Sequence, residues 1–214
     1  MPNWCRNTLW VNHENKDRLT ELRVAVAGSE MCNFVLPEPD YKTTPVAHTF
    51  PEIQARFAKT EEEKAKAIAN EPTIRDDSWY DWRVQNWGTK WDVDMTGEDI
   101  DHDDDGSFSI SFDSAWSPPT KVFEELIEMG FEIHAEWYES GMGFGGILTN
   151  DGHHEFSIPN GKTATEIFKK IKAECKKDKA FDAWVEDWGI YDDYDQLSQE
   201  EQEEQEEKAM ESTS

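Results

Sequence analysis

From Ser107 to Tyr138 the chain alternates with a period of two, changes to a period near 3.6, and changes back. In Ser107-Phe108-Ser109-Ile110-Ser111-Phe112 the apolar residues fall on one face and the serines on the other, the pattern of a half-buried strand. Ser117-Pro118-Pro119 then opens a predicted helix, since serine caps and proline is tolerated in the first turn. Val122, Phe123, Leu126 and Ile127 form its core stripe, and Gly130 ends it. Phe131–Tyr138 is a second alternating strand. Two one-faced strands joined by a one-faced helix have to bury those faces together, which constrains the chain to helices laid on a sheet.

The flanking segments extend this plan. Thr8–Val11 is β-prone, and Asn15 caps a helix expected over Lys16–Ala27 with Leu19, Leu22 and Val26 inward. Gly28 is expected to stop that helix in a left-handed conformation, and Cys32–Leu36 to form a strand. Residues 37–78 are broken by prolines and read as an insertion carrying one helix, Glu52–Asn70, whose apolar residues Ile53, Phe57 and Ile68 are thinly spread. Trp79–Val84 fits either a short helix or an extended arm. Gly88 belongs in a turn, Lys90–Met95 alternates like a strand, and Thr96–Gly106 reads as an acidic hairpin loop. Downstream, Gly141–Gly146 is a glycine-rich turn, and Asn150-Asp151-Gly152 joins two short strands, Ile147–Thr149 and His154–Ile158. A helix over Thr163–Lys177 follows, extended or succeeded by Phe181, Trp184, Val185 and Trp188. After Tyr194 the Gln/Glu-rich chain reads as disordered or as a frayed helix. The expected architecture is α+β: a ferredoxin-like antiparallel sheet with helices on one face in residues 1–158, a helical extension in 159–189, and an acidic tail in 190–214.

Charge narrows the partners. The chain has 47 acidic and 21 basic residues, a net charge of −26. Residues 186–214 account for −11 and the rest for −15, so the acidity is not confined to the tail. Such a field repels nucleic acid and anionic membranes and attracts basic protein surfaces. Asp101, Asp103, Asp104, Asp105, Asp192 and Asp193 mark the acidic surface. Three widely spaced cysteines and no apolar run near 18 residues point to a reduced, cytoplasmic setting.

Each motif with chemical meaning has a plainer alternative. Asp101-His102-Asp103-Asp104-Asp105-Gly106 matches the start of a calcium loop, but Phe112 stands where its final glutamate belongs, so the solvated hairpin tip is preferred. Gly141–Gly146 lacks the helix and Lys-Ser/Thr pair of a phosphate loop. His153 and His154 are neighbours on a strand and point to opposite faces, and His134 with Glu136 has no evident third ligand, so no metal and no cofactor are expected. Asp92, Asp113 and His134 would make a hydrolytic set only if the strands brought them together. Cys5 reads as a small buried residue. Trp4, Trp87, Trp91 and Trp116, with Lys90 over a ring or paired to Asp92 or Asp113, read either as a core-edge cluster or as an aromatic floor for a partner or ligand.

Four segments carry a resemblance. Met1–Cys5, Asn86–Asp92, Phe112–Pro119 and the turn over Glu139–Gly146 resemble, in this order, the YubB-like or Api-type family of bacteriophage and plasmid proteins, across roughly residues 1–158. The resemblance implies a ferredoxin-like domain and a mobile-element origin, and it implies no catalytic residues. Segment 37–78 and the acidic tail stand apart from it. The functional expectation is a non-enzymatic acidic protein in the host cytoplasm that binds and modulates a host protein with a basic surface, such as a nucleic-acid or defence enzyme engaged by DNA mimicry. The alternative is a small-molecule or nucleotide-binding, conceivably hydrolytic, domain. Its surface would comprise Trp87, Lys90, Trp91, Asp92, Asp113 and Trp116.

Overall fold

The computed structural model describes residues 3–95 and 100–212, with side chains through Glu204. The Thr96–Asp99 part of the expected acidic loop lies outside the described residues. The chain forms two compact units, Met1–Glu139 with Leu148–Asp151, and Ser140–Ile147 with Gly152–Ser214.

The first unit opens with β1 (Trp4–Asn12) and α1 (Lys16–Ala27). Asn15 caps α1 as expected, its side chain accepting from the Asp17 N–H at 2.9 Å. The other end differs in one detail. Gly28 stays right-handed, and Ser29 takes the left-handed position at φ 59°. The N–H groups of Ser29 and Glu30 then donate to the carbonyls of Val26 and Ala25, both at 2.9 Å, closing a Schellman motif.

Cys32–Leu36 is not a strand. Met31–Val35 forms a short helix, α2, because the Asp92 carboxylate accepts the Cys32 and Asn33 N–H groups at 2.8 and 2.9 Å. A short, mostly apolar run, interrupted here by Asn33, is compatible with strand or buried helix, and a tertiary cap decided it. Both edges of β1 are taken by other strands.

The insertion holds α3 (Pro51–Phe57) and α4 (Glu61–Ala69) in place of the single expected helix. The break falls at Thr60, which makes a capping box with Glu63. Neither helix buries a residue. The base of the insertion is held better. Val46 and Thr73 bridge, and buried Asp81 accepts the Thr49 N–H at 2.7 Å and pairs with Arg75 and His48. Asp81 sits on α5 (Ser78–Asn86), so the open choice for Trp79–Val84 resolves as helix. Residues 90–95 form a loop rather than a strand.

After it come β2 (Asp101–His102), β3 (Phe108–Ala115), α6 (Thr120–Glu128) and β4 (Glu132–Glu139). β3 and β4 both run antiparallel to β1, with Leu9 facing Ile110 and Ala135. The inward faces of these strands meet Leu19, Leu22 and Val26 of α1 and Val122, Phe123 and Leu126 of α6, all buried. Phe123 lies 6.5 Å, centroid to centroid, from both Phe112 and Trp137. Ser117 does not cap α6. The helix starts at Thr120 behind Pro119, and the Ser117 hydroxyl is engaged elsewhere. Gly130, at φ 91°, closes the helix as expected.

The hairpin of β5 (Phe144–Thr149) and β6 (Gly152–Ser157) completes the strand order β2-β3-β1-β4-β5-β6 among the described residues. The glycine turn is thus shorter than expected, since Phe144–Gly146 already belongs to β5. In the second unit, α7 (Ala164–Cys175) is capped by Thr163 and α8 (Lys179–Asp187) by Asp178. Phe156 packs on Phe181 and Trp184 at 5.8 and 5.3 Å. The acidic segment forms a helix, α9 (Ile190–Ser212), the helical one of the two readings open for it. Ile190 and Ser198 of α9 are buried, and Glu201 accepts from the N–H and hydroxyl of Thr165 at 3.0 and 2.9 Å, which holds α9 against α7.

Candidate functional site: an aromatic platform around Lys90

The start of β1, the loop after α5 and the end of β3 converge at one end of the first unit. Trp4 lies opposite Ala115 in the ladder, and the Trp116 N–H extends the pairing by donating to Asn3 O at 2.9 Å. Thr89 laces the loop to β3: its hydroxyl donates to Ala115 O and accepts from Ala115 N, both at 3.1 Å. The Ser117 hydroxyl donates to Gly88 O at 2.5 Å. Gly88 has φ 89°, and a Cβ there would stand 3.0 Å from Pro118 O, so both conformation and space require glycine. Beneath, buried Asn7 donates to Cys5 O at 2.8 Å and Ser114 Oγ at 2.9 Å, and Ser114 donates to Ser117 O at 2.8 Å.

This lacing gathers four rings. Lys90 Nζ lies 4.5 Å from the centroid of Trp91, 5.5 Å from Trp116 and 5.8 Å from Tyr80. Tyr80 meets Trp116 edge-on at 6.1 Å, and Trp4 continues the surface at 5.9 Å from Trp91. Trp4, Trp91 and Trp116 are 48%, 38% and 39% exposed, a large open area for indole rings. Trp116 has φ 68°, a conformation that bulky residues rarely adopt and that here is held by the bonds just described. Among the described residues no carboxylate lies within ion-pair distance of Lys90. It sits over rings, not beside Asp92 or Asp113. An ammonium over aromatic faces gains roughly 0.5–1 kcal/mol at an exposed site and keeps N–H donors for an incoming anion.

The expected surface residues divide. Lys90, Trp91 and Trp116 come together. Trp87 is fully buried, its indole N–H donating to Leu36 O at 2.9 Å and the Arg83 guanidinium 4.8 Å over its ring, so it belongs to the core. Asp92 caps α2. Asp113 is exposed on β3 opposite Arg6. The conceivable hydrolytic set is not assembled. Asp113 registers with Arg6 and His134 with Trp10, roughly 13 Å apart along β1 at strand rise. His134 lies 2.6 Å from Glu136. Tyr80 was not among the expected surface residues; α5 places its ring beside Trp116.

The other motifs serve local structure. Asp103 accepts from Trp10 Nε1 at 3.3 Å and from Ser107 Oγ at 2.8 Å, and Asp105 accepts from Ser107 N at 2.9 Å. The Ser107 hydroxyl, which also donates to Asp105 at 2.7 Å, and then the Ser107 N–H hold the Asp105 carboxyl below its ordinary range. Among the described residues no three His, Cys, Asp or Glu side chains converge as a metal site. The Gly143 carbonyl accepts from Ile158 N at 2.7 Å. Cys5 is fully buried, and burial, with Glu139 nearby, pushes its thiol up to about 12, far from a reactive thiolate.

Comparison with known proteins decides the family. The family model described as a ferredoxin-like domain in Api92-like protein matches residues 90–213, more than half of the chain. The chain belongs to this Api92-like family. The match begins at Lys90 and runs to the end of α9, so in this Api92-like protein the acidic helix lies inside the family region and not apart from it. A crystal structure of a protein api92 from Yersinia pseudotuberculosis is similar over 75% of this chain and 99% of that one, with 11% identity and a TM-score of 0.40. No curated protein matches the chain.

Proposed function

We propose that this Api92-like protein, carried by a bacteriophage or plasmid, acts in the host cytoplasm as a non-catalytic binding protein that docks on a basic host-protein surface and modulates it. The natural target is an enzyme that handles nucleic acid, including defence enzymes, with the carboxylates standing in for phosphates. The observation that carries this reading is α9. Asp192, Asp193, Asp195, Glu200, Glu201, Glu203 and Glu204 follow one another with no lysine or arginine from residue 190 to 207. At helical rise those seven charges spread over roughly 20 Å, about one per 3 Å, close to the 3.4 Å spacing of phosphates along one DNA strand. The first unit carries exposed acids of its own, Asp101 of β2 and Asp103, Asp104 and Asp105 of the turn after it. Charge of this kind steers encounter and selects partners more than it fixes affinity.

The test is capture from host lysate on the immobilised full chain, eluted by a salt gradient, in parallel with a variant carrying Asp192→Asn, Asp193→Asn, Glu200→Gln and Glu203→Gln. These residues are exposed, and Glu201 is left in place because it holds Thr165. The expected result is one dominant nucleic-acid-handling enzyme that elutes with salt, is lost with the variant, and is competed by duplex DNA. Equal retention by both chains, or a partner indifferent to DNA, would sink the mimicry. A second reading, a small-molecule-binding domain, is favoured by one observation: the rings gathered around Lys90.

A further inference from the structure

We propose that the platform formed by Trp4, Tyr80, Trp91 and Trp116 binds a planar aromatic monocarboxylate, its carboxylate on Lys90 Nζ and its ring on the exposed indoles. The proposal rests on the small-molecule reading of this surface and narrows it to a ligand class.

The ring comes from what is exposed. Three partly exposed tryptophans lie within one cluster joined by ring contacts and by Lys90, and exposed indole surface gains most by covering another flat apolar group. The platform is also set in advance. Trp116 is locked at positive φ by its bond to Asn3, and the adjoining residues by Thr89 and Ser117. A ligand therefore orders little of the protein on binding, which removes a main cost of association.

The charge comes from Lys90. Among the described residues it is the cation seated over Tyr80, Trp91 and Trp116, and no carboxylate there neutralises it. Other lysines of this chain of net charge −26 also lack an ion pair, but Lys90 is the one that lies within 5.8 Å of three ring centroids among the described residues. The other nearby cation over a tryptophan, Arg83, is committed to Glu38 through bonds of 2.5 and 2.9 Å. One ammonium balances one negative charge. A phosphate dianion or a polyphosphate would bring surplus charge into a strongly negative field, and among the described residues no second cation lies over these rings. A monocarboxylate brings one charge, accepts the remaining N–H groups of Lys90, and leaves its ring free to stack.

The experiment is ligand-observed NMR on the full chain at low salt with naphthalene-2-carboxylate, compared with the neutral naphthalene-2-carboxamide and with AMP. The acid should bind about tenfold more tightly than the amide, as a charge-assisted hydrogen bond provides. Lys90→Met should bring the acid down to the amide and leave the amide unchanged, and Lys90→Arg, which keeps the charge, should keep the preference. Far-UV circular dichroism of both variants checks the fold. Equal binding of acid and amide, or a preference that survives Lys90→Met, would overturn the assignment. AMP binding above the carboxylate would overturn the monoanion class while leaving a ligand surface in place. If no probe binds, both this proposal and the small-molecule reading fall.

Discussion

Trp91 and Trp116 at the end of the sheet and Phe57 and Ile68 on the α3–α4 hairpin are all large, apolar and open to solvent, Phe57 and Ile68 at 79% and 61%. Their supports differ. The indoles stand on a loop laced to β3 by Thr89 and Ser117, above the buried side chains of Asn7, Ser114 and Trp87. The hairpin stands on its own caps: Thr60 and Glu63 close α4, and neither helix buries a residue. Exposure is therefore not one property. Over a packed core it presents a surface of fixed shape. On a hairpin without core contacts it marks a segment whose local stability comes from propensity and caps, where opening is least costly.

The largest effect that would test this contrast is Trp87→Ala. Truncating a fully buried tryptophan costs about 3–5 kcal/mol, read as a lower urea midpoint, and the platform should lose its shape with the core. A loss below about 0.5 kcal/mol, the range of ordinary surface changes, would mean that the rings do not depend on that core. Asp92→Ala comes next. It removes the acceptor for two α2 N–H groups and should cost about 1–2 kcal/mol, as a lost cap does. A midpoint equal to the parent's would show that α2 holds without it.

Acid pH gives a smaller effect. Burial alone would raise the Glu38 carboxyl, but hydrogen bonds from Arg83 and Tyr41 and the Arg83 charge outweigh it and hold Glu38 below its ordinary value of 4.5. A depressed carboxyl stabilises the fold at neutral pH, and that contribution is lost as pH falls below about 4.5 through the folded-state value. Glu38→Gln should therefore lower Tm slightly at pH 7 and converge with the parent in acid. A gap that persists at the lowest pH at which both fold would assign the effect to packing. The smallest change is expected on the hairpin. Phe57→Ser with Ile68→Ser should move the global midpoint by no more than about 0.5 kcal/mol. A loss of several kcal/mol would erase the contrast between the two regions.

Much of the fold was legible where one period ran long enough to be unambiguous. The helix at Lys16–Ala27, the serine-alternating strand and the following helix and strand all occupy nearly their expected places. The misses are short segments settled from a distance. Cys32–Leu36 has a strand-like composition, but its helix is capped by a carboxylate sixty positions along the chain. Residues 90–95 alternate yet pair with no strand, because Lys90 and Trp91 join the ring cluster and Asp92 turns to α2. For the tail, composition left disorder or a frayed helix open, and the buried Ser198 with the Glu201–Thr165 bonds shows the tertiary contacts that composition does not display. At the site, Lys90, Trp91 and Trp116 were legible from aromatic density alone. Trp87 carries the same signal and faces inward, since adjacent aromatics cannot be sorted by side without the turn at Gly88.

Ser29 bears on any attempt to stabilise the chain. Glycine is the standard replacement for a residue held at positive φ, and relief of roughly 1 kcal/mol is the usual return. Here the same serine accepts the Met95 N–H through its hydroxyl at 3.0 Å. Glycine would relax one backbone and orphan an amide on another, and a net gain near zero is the expected outcome. A redesign guided by dihedral angles alone would include this site, yet the hydroxyl that fastens the loop ahead of β2 is the part to keep.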